Sequence, residues 1–326
     1  MSTPATHFSG DAPVPPDLDI VWAHGAPTQR QDTDPPIQTH WVDASTAVLR
    51  QSKAVSAEAP FLYLFLGDDR AILLDTGDAA ESERCDVAGA VDGLVVDWQA
   101  NHPRPGDAPP YELVVAHTHA HHDHIKGDPQ FAGRPATTVV GSDLDSVRDF
   151  FGFTRWPAEV VTFDLGGRAL EITGIPGHHR TSIAVHDPWS GLLVTGDTVY
   201  PGRLYVEDMP AFVDSLERLV ELSASRRVTA VMGCHLEMSG TSGRDFPFGA
   251  RYQPDEAPLP MTVDQLVRLR DRARQVADRP GQHRFDDVVI YNGRSTLPML
   301  RLVARGGLAT ARRRMSSVLP RRRGRS

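Results

Sequence analysis

Histidines are concentrated in one short segment, residues 117–124, which holds five of the 14 histidines of the chain. Its core, His119, His121, Asp123 and His124, has the pattern His-x-His-x-Asp-His. Alternate residues at a strand end point the same way, so His119 and His121 can share one ion, and after a turn Asp123 and His124 can face a second. Imidazole and carboxylate are ligands that Zn²⁺ prefers. The segment predicts a metal site, the alternative being a surface histidine tract that binds metal adventitiously.

One segment cannot complete two catalytic sites, because each zinc ion takes about three protein ligands plus water. Three further ligand-type residues stand just past apolar stretches that are typical of strands. His178 follows residues 169–175, Asp197 follows 192–195 and His235 follows 228–232, each beside a glycine. A single histidine in a turn is usually structural, but three residues in the same position relative to a strand indicate convergence on the histidine segment.

The remaining pattern predicts elements that would hold these residues. Apolar residues at helical spacing predict helices over 86–101, 144–151, 211–223, 262–279 and 297–305. Alternating or continuous apolar stretches predict strands, which come in runs broken by single helices. We therefore expect a layered α/β fold, with sheets covered by helices. The predicted strands span 40–51, 61–67, 70–75, 113–116, 137–140, 160–163, 169–175, 182–185, 192–195, 228–232 and 286–291.

The order of these motifs resembles the metallo-β-lactamase superfamily. The resemblance rests on His-x-His-x-Asp-His, then Pro176-Gly177-His178, Thr195-Gly196-Asp197 and Gly233-x-His235, with the turn 73–77 (Leu-Leu-Asp-Thr-Gly) similar to an early strand-end Asp of that family. It covers roughly residues 40–240. It implies a four-layer αβ/βα sandwich with metals at one edge of the two sheets.

The resemblance also implies a role for each ligand. His119, His121 and His178 would bind a first ion, Asp123, His124 and His235 a second, and Asp197 would bridge the two. Two Zn²⁺ per chain are expected, with Fe or Mn as other possible ions. A hydroxide between the ions would attack a carbonyl or phosphoryl centre. Asp123 is thus both a ligand and a candidate catalytic residue, and Asp75 would orient a ligand or serve only its own turn.

The expected activity is hydrolysis of an ester-like bond in a small molecule: a lactone, a thioester or another acyl substrate. Tyr200, three residues after Asp197, is a second candidate catalytic residue as an oxyanion donor, the alternative being aromatic packing. A similarly placed tyrosine is found in the lactonase branch. The glyoxalase II branch shares the metal set but differs at residues 200–203, Tyr-Pro-Gly-Arg. The alternative function is a mononuclear iron oxidoreductase of the persulfide dioxygenase type on the same fold.

Segments outside the motifs suggest the domain organisation. Residues 1–38 are rich in Pro, Asp and Thr and are expected to form a flexible arm or a strap. Residues 39–310 would form one domain with a long loop over 236–260, which we expect to cover the cleft and select substrate.

Arg180 and Arg203 are candidate partners of a substrate carboxylate. The aromatic stretch 150–156 would form a cleft wall or a buried cluster. The basic segment 311–326 would be a solvated tail or touch anionic lipid or nucleic acid.

Composition narrows the class of protein. The net charge of −8 disfavours a general nucleic-acid binder, and the longest early apolar stretch, residues 61–66, is too short to span a bilayer. The first residues have neither a basic start nor an apolar run, so no secretory signal is expected. With two cysteines, Cys85 and Cys234, no disulfide framework is expected, and a cytoplasmic location is the default. Oligomeric state is left open.

Overall fold

The computed structural model describes Phe8 and residues 14–293. The helix predicted over 297–305 and the basic tail 311–326 lie outside the described residues. Within the described part, no helix has the length and apolarity needed to cross a membrane.

The first sheet has six strands that lie in chain order. The first four pair as antiparallel neighbours, whereas the last three are parallel to one another. The third strand (residues 61–66) is a continuous apolar run, and every residue in it is buried because both faces of the sheet are covered. The strands are β1 Ile37–Asp43, β2 Thr46–Gln51, β3 Phe61–Leu66, β4 Arg70–Leu74, β5 Glu112–Ala116 and β6 Thr137–Val139.

The second sheet has five strands and packs against the first. Phe61, Tyr63 and Phe65 of β3 share one buried cluster with Ile172 and Val194 of the second sheet. This cluster is the centre of the sandwich. Across the sheet the strands lie in the order β12 Ala230–Gly233, β10 Leu192–Gly196, β9 Ile183–His186, β8 Ala169–Gly174 and β7 Val160–Asp164.

Helices cover the outer faces of both sheets. On the first sheet, Leu94 and Trp98 of the first helix pack against Leu62 and Leu64. On the second sheet, two long helices bury a separate apolar cluster. The order helix, sheet, sheet, helix confirms the predicted four-layer α/β sandwich. The helices are α1 Val87–Asn101, α2 His122–Ile125, α3 Leu144–Phe151, α4 Met209–Ser225 and α5 Val263–Val276.

A third, small sheet was only partly predicted. It contains β11 Arg203–Val206, β14 Val289–Asn292 and β13 Gly281–Arg284, with the middle strand parallel to β11. The sequence indicated only the strand over 286–291, because β11 and β13 are four residues long and carry charged or polar residues. Residues 236–260 form neither helix nor strand and are fixed by isolated bridges, such as Met238 with Asp245.

The predicted strand over 40–51 is wrong in one respect, since it is two strands joined by a tight turn. Asp43 ends β1, and its Oδ1 accepts hydrogen bonds from the backbone N–H (2.7 Å) and hydroxyl (3.1 Å) of Ser45. An Asp side chain that binds the backbone two residues ahead stabilises a turn. Before β1, residues 14–36 contain no α-helix or β-strand, although Trp22 is buried against Phe61.

Candidate metal centre

All seven predicted ligands lie at one edge of the two sheets, just past the carboxyl ends of their strands. The 119–124 segment follows β5, His178 follows β8, Asp197 follows β10 and His235 follows β12. Glycines allow the chain to turn tightly there. Gly177 has φ +138°, and a Cβ at this position would lie 2.4 Å from the Cα of Phe212. The position therefore favours glycine on two grounds, backbone conformation and space.

The first group of ligands brings three imidazoles together. His119 Nε2 lies 2.9 Å from His121 Nδ1 and 3.2 Å from His178 Nε2, and the last two nitrogens are 3.0 Å apart. Ligand nitrogens around a tetrahedral zinc, at 2.0–2.1 Å from the ion, are about 3.3 Å apart. The spacing of the three nitrogens therefore fits one ion that they share.

The second group consists of Asp123, His124 and His235. His235 Nε2 lies 3.1 Å from Asp123 Oδ2 and 3.3 Å from His124 Nε2, and the distance from His124 Nε2 to Asp123 Oδ2 is 3.5 Å. His124 and His235 are buried, whereas Asp123 is partly exposed. This group converges as closely as the first.

Asp197 lies between the two groups. Its Oδ2 is 3.9 Å from His119 Nε2 and 3.7 Å from His178 Nε2 on one side. On the other side it is 3.6 Å from His124 Nε2 and 3.4 Å from His235 Nε2. Its Oδ1 is buried with no hydrogen-bond partner among the described residues. A buried carboxylate oxygen without a partner is costly, so this atom fits a position where a cation would satisfy it.

The ring nitrogens that face away from the centre are held by the protein. The Nδ1 atom of His124 lies 2.8 Å from Asp75 Oδ2, and that of His178 lies 2.7 Å from the carbonyl oxygen of Tyr205. The carbonyl oxygen of Glu58 lies 3.2 Å from His235 Nδ1. Such contacts fix the tautomer and orientation of metal-binding histidines.

The two groups differ in electrostatics. Burial lowers the pKa of His119, and it lowers that of His178 to about 4, so both rings are neutral at pH 7 and suited to bind a metal. Burial alone would raise the pKa of Asp197, but His235 and His124 outweigh it and hold the pKa well below its ordinary value. The carboxyl group is therefore ionised. In the second group, burial alone would lower the pKa values of His124 and His235, but Asp123 and Asp197 outweigh it and raise both well above their ordinary value.

Tyr200 is buried beside this centre, with its ring centroid 5.7 Å from that of His235. Its hydroxyl donates to the backbone carbonyl of Arg203 and lies 3.3 Å from Glu237 Oε2. The single hydroxyl proton is thus engaged away from the ligand nitrogens. This arrangement favours the packing alternative over an oxyanion donor.

Two residues near the centre were not selected from the sequence. Cys234 is buried between the sheets, and its Sγ lies 3.3 Å from Asp75 Oδ2, the oxygen that also contacts His124. His179, the residue after His178, has its ring centroid 5.0 Å from that of His121. The only indication of such a position in the sequence is that each residue is adjacent to a predicted metal ligand, Cys234 to His235 and His179 to His178.

Arg203, a candidate carboxylate binder in the sequence, is buried and engaged. Its guanidinium pairs with Glu237 and, at 3.1 Å, with Asp245, and it donates to the carbonyl oxygen of Phe246 at 2.8 Å. These three partners all belong to the loop 236–260. Arg203 therefore anchors that loop to the third sheet, whereas Arg180 is exposed.

The aromatic stretch 150–156 forms part of the buried core. Phe151 and Phe153 are buried, and Phe150 and Trp156 pack against the same cluster between the sheets. Phe153 meets Trp156 edge-on at 5.1 Å. This arrangement corresponds to the buried-cluster alternative.

The fold and the seven converging ligand-type residues define an α/β sandwich with a candidate metal centre. Residues 57–231 match the family model described as metallo-beta-lactamase superfamily. The match spans more than half of the chain, and the protein belongs to this superfamily.

Curated relatives carry the names of hydrolases. A hydroxyacylglutathione hydrolase of Synechococcus sp. (strain JA-3-3Ab) is 34% identical over 170 residues, which is 49% of this chain and 62% of that protein. A second one, from Synechococcus sp. (strain JA-2-3B'a(2-13)), is 35% identical over 36% of this chain and 48% of its own length. The chain thus spans less than two thirds of either protein.

Two further similarities were found. The acyl-coenzyme A thioesterase MBLAC2 of Homo sapiens is 28% identical over 59% of this chain and 77% of that protein. A metallo-beta-lactamase structure from Erythrobacter litoralis aligns with a TM-score of 0.47 at 18% identity, covering 74% of this chain and 98% of that one.

Proposed function

We propose that this protein is a zinc-dependent hydrolase that cleaves a thioester in a small-molecule substrate. The observation that carries the proposal is the position of Asp197 Oδ2, within 3.9 Å of ligand nitrogens from both groups. A carboxylate in this position fits two ions at once. A pair of ions serves hydrolysis by activating water and by polarising the oxygen of the attacked group.

The donor set fits zinc. His119, His121 and His178 would hold one ion, Asp123, His124 and His235 the other, and Asp197 would contact both. Bound ions of this kind polarise a carbonyl oxygen and lower the pKa of water towards 7. The protein itself holds the ligands in register through Asp75 and two backbone carbonyls.

A mononuclear iron oxidoreductase remains the alternative on the same fold. Such a site needs only one complete group of ligands. Here the second group, Asp123, His124 and His235, has separations of 3.1–3.5 Å, about as tight as those of the first. A complete second group favours the binuclear hydrolase.

The proposed substrate class rests on the relatives. Their names specify hydroxyacylglutathione and acyl-coenzyme A, and both of these are thioesters. The sequence at residues 200–203 departs from the glyoxalase II pattern, so the proposal specifies the thioester and leaves its thiol half to the test. Free and buried Cys85 and Cys234 fit a reducing compartment, so the proposed location is the cytoplasm.

The test is hydrolysis by zinc-loaded protein across a panel of acyl-glutathiones, acyl-coenzyme A esters, acyl-lactones and phosphodiesters. Asp197→Ala is the blank, and metal content is measured on each protein as purified, before zinc is added. We expect two zinc ions per chain and turnover of thioesters that is lost in the variant. Turnover of lactones alone would reject the thioester assignment, and one iron per chain with no hydrolysis would reject the hydrolase.

A further inference from the structure

His179 lies beside the first group of ligands and is not itself one of them. It directly follows the ligand His178, and its ring centroid is 5.0 Å from that of His121 and 6.0 Å from that of His119. His119 is buried, whereas His121 and His179 are both partly exposed. The rings of these two residues therefore border the surface from which a substrate reaches the first group.

A tight turn fixes the orientation of the His179 ring. The carbonyl oxygen of His179 accepts a hydrogen bond from the backbone N–H of Ser182 at 3.1 Å and so closes the turn. Within it, His179 Nδ1 accepts from the backbone N–H of Thr181 at 3.3 Å and lies 2.9 Å from Thr181 Oγ1. The ring cannot rotate without losing these contacts.

The same turn decides which ring nitrogen of His179 carries the hydrogen. A backbone N–H group can only donate, so Nδ1 has to accept from Thr181. In a neutral imidazole one nitrogen accepts and the other carries the hydrogen, and the bond made by the first nitrogen selects the tautomer. The N–H group of His179 is therefore at Nε2, the nitrogen that the turn does not hold.

The Nε2 atom of His179 is an accessible donor. It has no hydrogen-bond partner among the described residues, and it is not one of the buried atoms. The hydroxyls of Ser182 and Thr198 also lack partners among those residues, but they are buried. The hydroxyl of Tyr200 donates to the carbonyl oxygen of Arg203. Of these four groups, His179 is the one whose donor a substrate can reach.

We propose that His179 donates a hydrogen bond from Nε2 to the carbonyl oxygen of the thioester substrate. When hydroxide adds to the carbonyl carbon, the π electron pair of the C=O bond moves on to this oxygen. The pair returns as the C–S bond breaks and the thiolate leaves. A fixed N–H group aimed at the oxygen stabilises the charge that develops there, and His179 keeps its proton throughout. The inference rests on the proposed hydrolase function.

The test compares two replacements of His179 in zinc-loaded protein, with S-acetylglutathione and acetyl-coenzyme A as substrates. His179→Phe keeps an aromatic ring against His121 but has no N–H group, whereas His179→Gln supplies an amide N–H in place of Nε2. For His179→Phe we expect kcat to fall by roughly 10²–10³, with KM changed by less than about threefold. His179→Gln should keep kcat within about tenfold of wild type, because it retains a donor.

The matched control is His122→Phe, at an exposed histidine that also directly follows a ligand. Its turnover should equal that of wild type. Two further readouts do not depend on turnover. The zinc content of His179→Phe should be that of wild type, because no ligand is removed. Nitrogen-15 NMR of labelled histidines in the wild type should show His179 protonated at Nε2, its signal being identified by its absence from His179→Phe.

If His179→Phe fails to fold, as judged by circular dichroism, His179→Asn takes its place, since its amide oxygen can still accept from Thr181. A kcat within about threefold of wild type in the folded variant, or an equal loss in His179→Gln, would overturn the inference. Loss of zinc from the variant, or a proton on Nδ1, would overturn it as well. Absence of thioester turnover in the wild type would instead reject the proposed function, and the inference with it.

Discussion

Asp75 Oδ2 lies 2.8 Å from Nδ1 of His124, and both side chains are fully buried. The carboxylate also accepts hydrogen bonds from the backbone N–H and the hydroxyl of Thr118, at 2.7 and 2.8 Å. Asp75 has φ +70°, a conformation that is uncommon for residues other than glycine. The strained turn after β4 thus directs a carboxylate beneath a predicted metal ligand.

Replacing Asp75 by Asn tests this support. The amide cannot accept at every position where the carboxylate does, so either His124 or Thr118 loses its partner. Loss of such a contact lowers metal affinity by roughly 10–100-fold. Competition with a chromophoric chelator measures the affinity. Asp92→Asn, which alters an exposed ion pair with Arg134, is the control and should leave affinity unchanged.

Metal content should separate the two groups of ligands. We expect two zinc ions per chain in the wild type and about one in His121→Ala or in Asp123→Ala, because each variant damages one group. Asp197→Ala should retain less metal than either, since both groups lose a ligand. Elemental analysis after gel filtration gives the ratio. Two ions in Asp197→Ala would show that this residue does not bridge.

Tyr200→Phe distinguishes the two roles considered for this tyrosine. Its hydroxyl donates to the carbonyl of Arg203, so its loss should reduce the free energy of unfolding by about 1 kcal/mol. Turnover should then change by less than about threefold, whereas loss of an oxyanion donor costs roughly 10²–10³ in kcat. Steady-state kinetics and urea unfolding of the same preparation measure both effects. A hundredfold loss of kcat with unchanged stability would restore the catalytic role.

Arg203→Met should release the loop 236–260. Removing one partner of a buried ion pair costs about 3–5 kcal/mol, and here Glu237 and Asp245 would both lose their cation. We expect lower stability and faster cleavage within the loop by a protease. Arg244→Met, in the same loop but exposed, is the matched control. Equal cleavage rates in the two variants would mean that Arg203 does not anchor the loop.

Lys53 should make stability depend on pH. It is buried, and burial, followed by the charge of Arg50, lowers its pKa to about 7 from an ordinary value of 10.5. The native state therefore binds a proton less readily than the unfolded chain does, and stability from this residue is lost as pH falls from 10.5 to 7.

Lys53→Met removes this linkage and should stabilise the protein by about 4 kcal/mol at pH 7, and by less than about 1 kcal/mol at pH 10. Urea unfolding at the two pH values measures the difference. Lys126→Met, at a partly exposed lysine paired with Asp78, is the control and should show no such trend. A gain that is the same at both pH values would exclude a buried lysine with a lowered pKa.

The ligand motifs could be recognised from the sequence because each consists of ligand-type residues that closely follow an apolar strand. The pattern 119–124 and the three ligand-type residues after apolar strands pointed to one metal edge, and the structure brings all seven residues together there. Among the supporting contacts, the one between Asp75 and His124 was among the expectations, whereas those from the backbone carbonyls of Tyr205 and Glu58 could not be recognised. Cys234 directly precedes His235, but β12 ends at Gly233, so strand alternation does not tell on which side its side chain lies.

The sequence by itself determined the types of ligand, their order and the layered α/β sandwich, because apolar periodicity and strand-end motifs are properties of neighbouring residues. Only the tertiary structure decided which groups act as partners. The hydroxyl of Tyr200 donates to Arg203, and the guanidinium of Arg203 pairs with Glu237 and Asp245. These residues are up to 45 positions apart, and they meet because the loop after His235 returns across β11, a contact that no local pattern encodes.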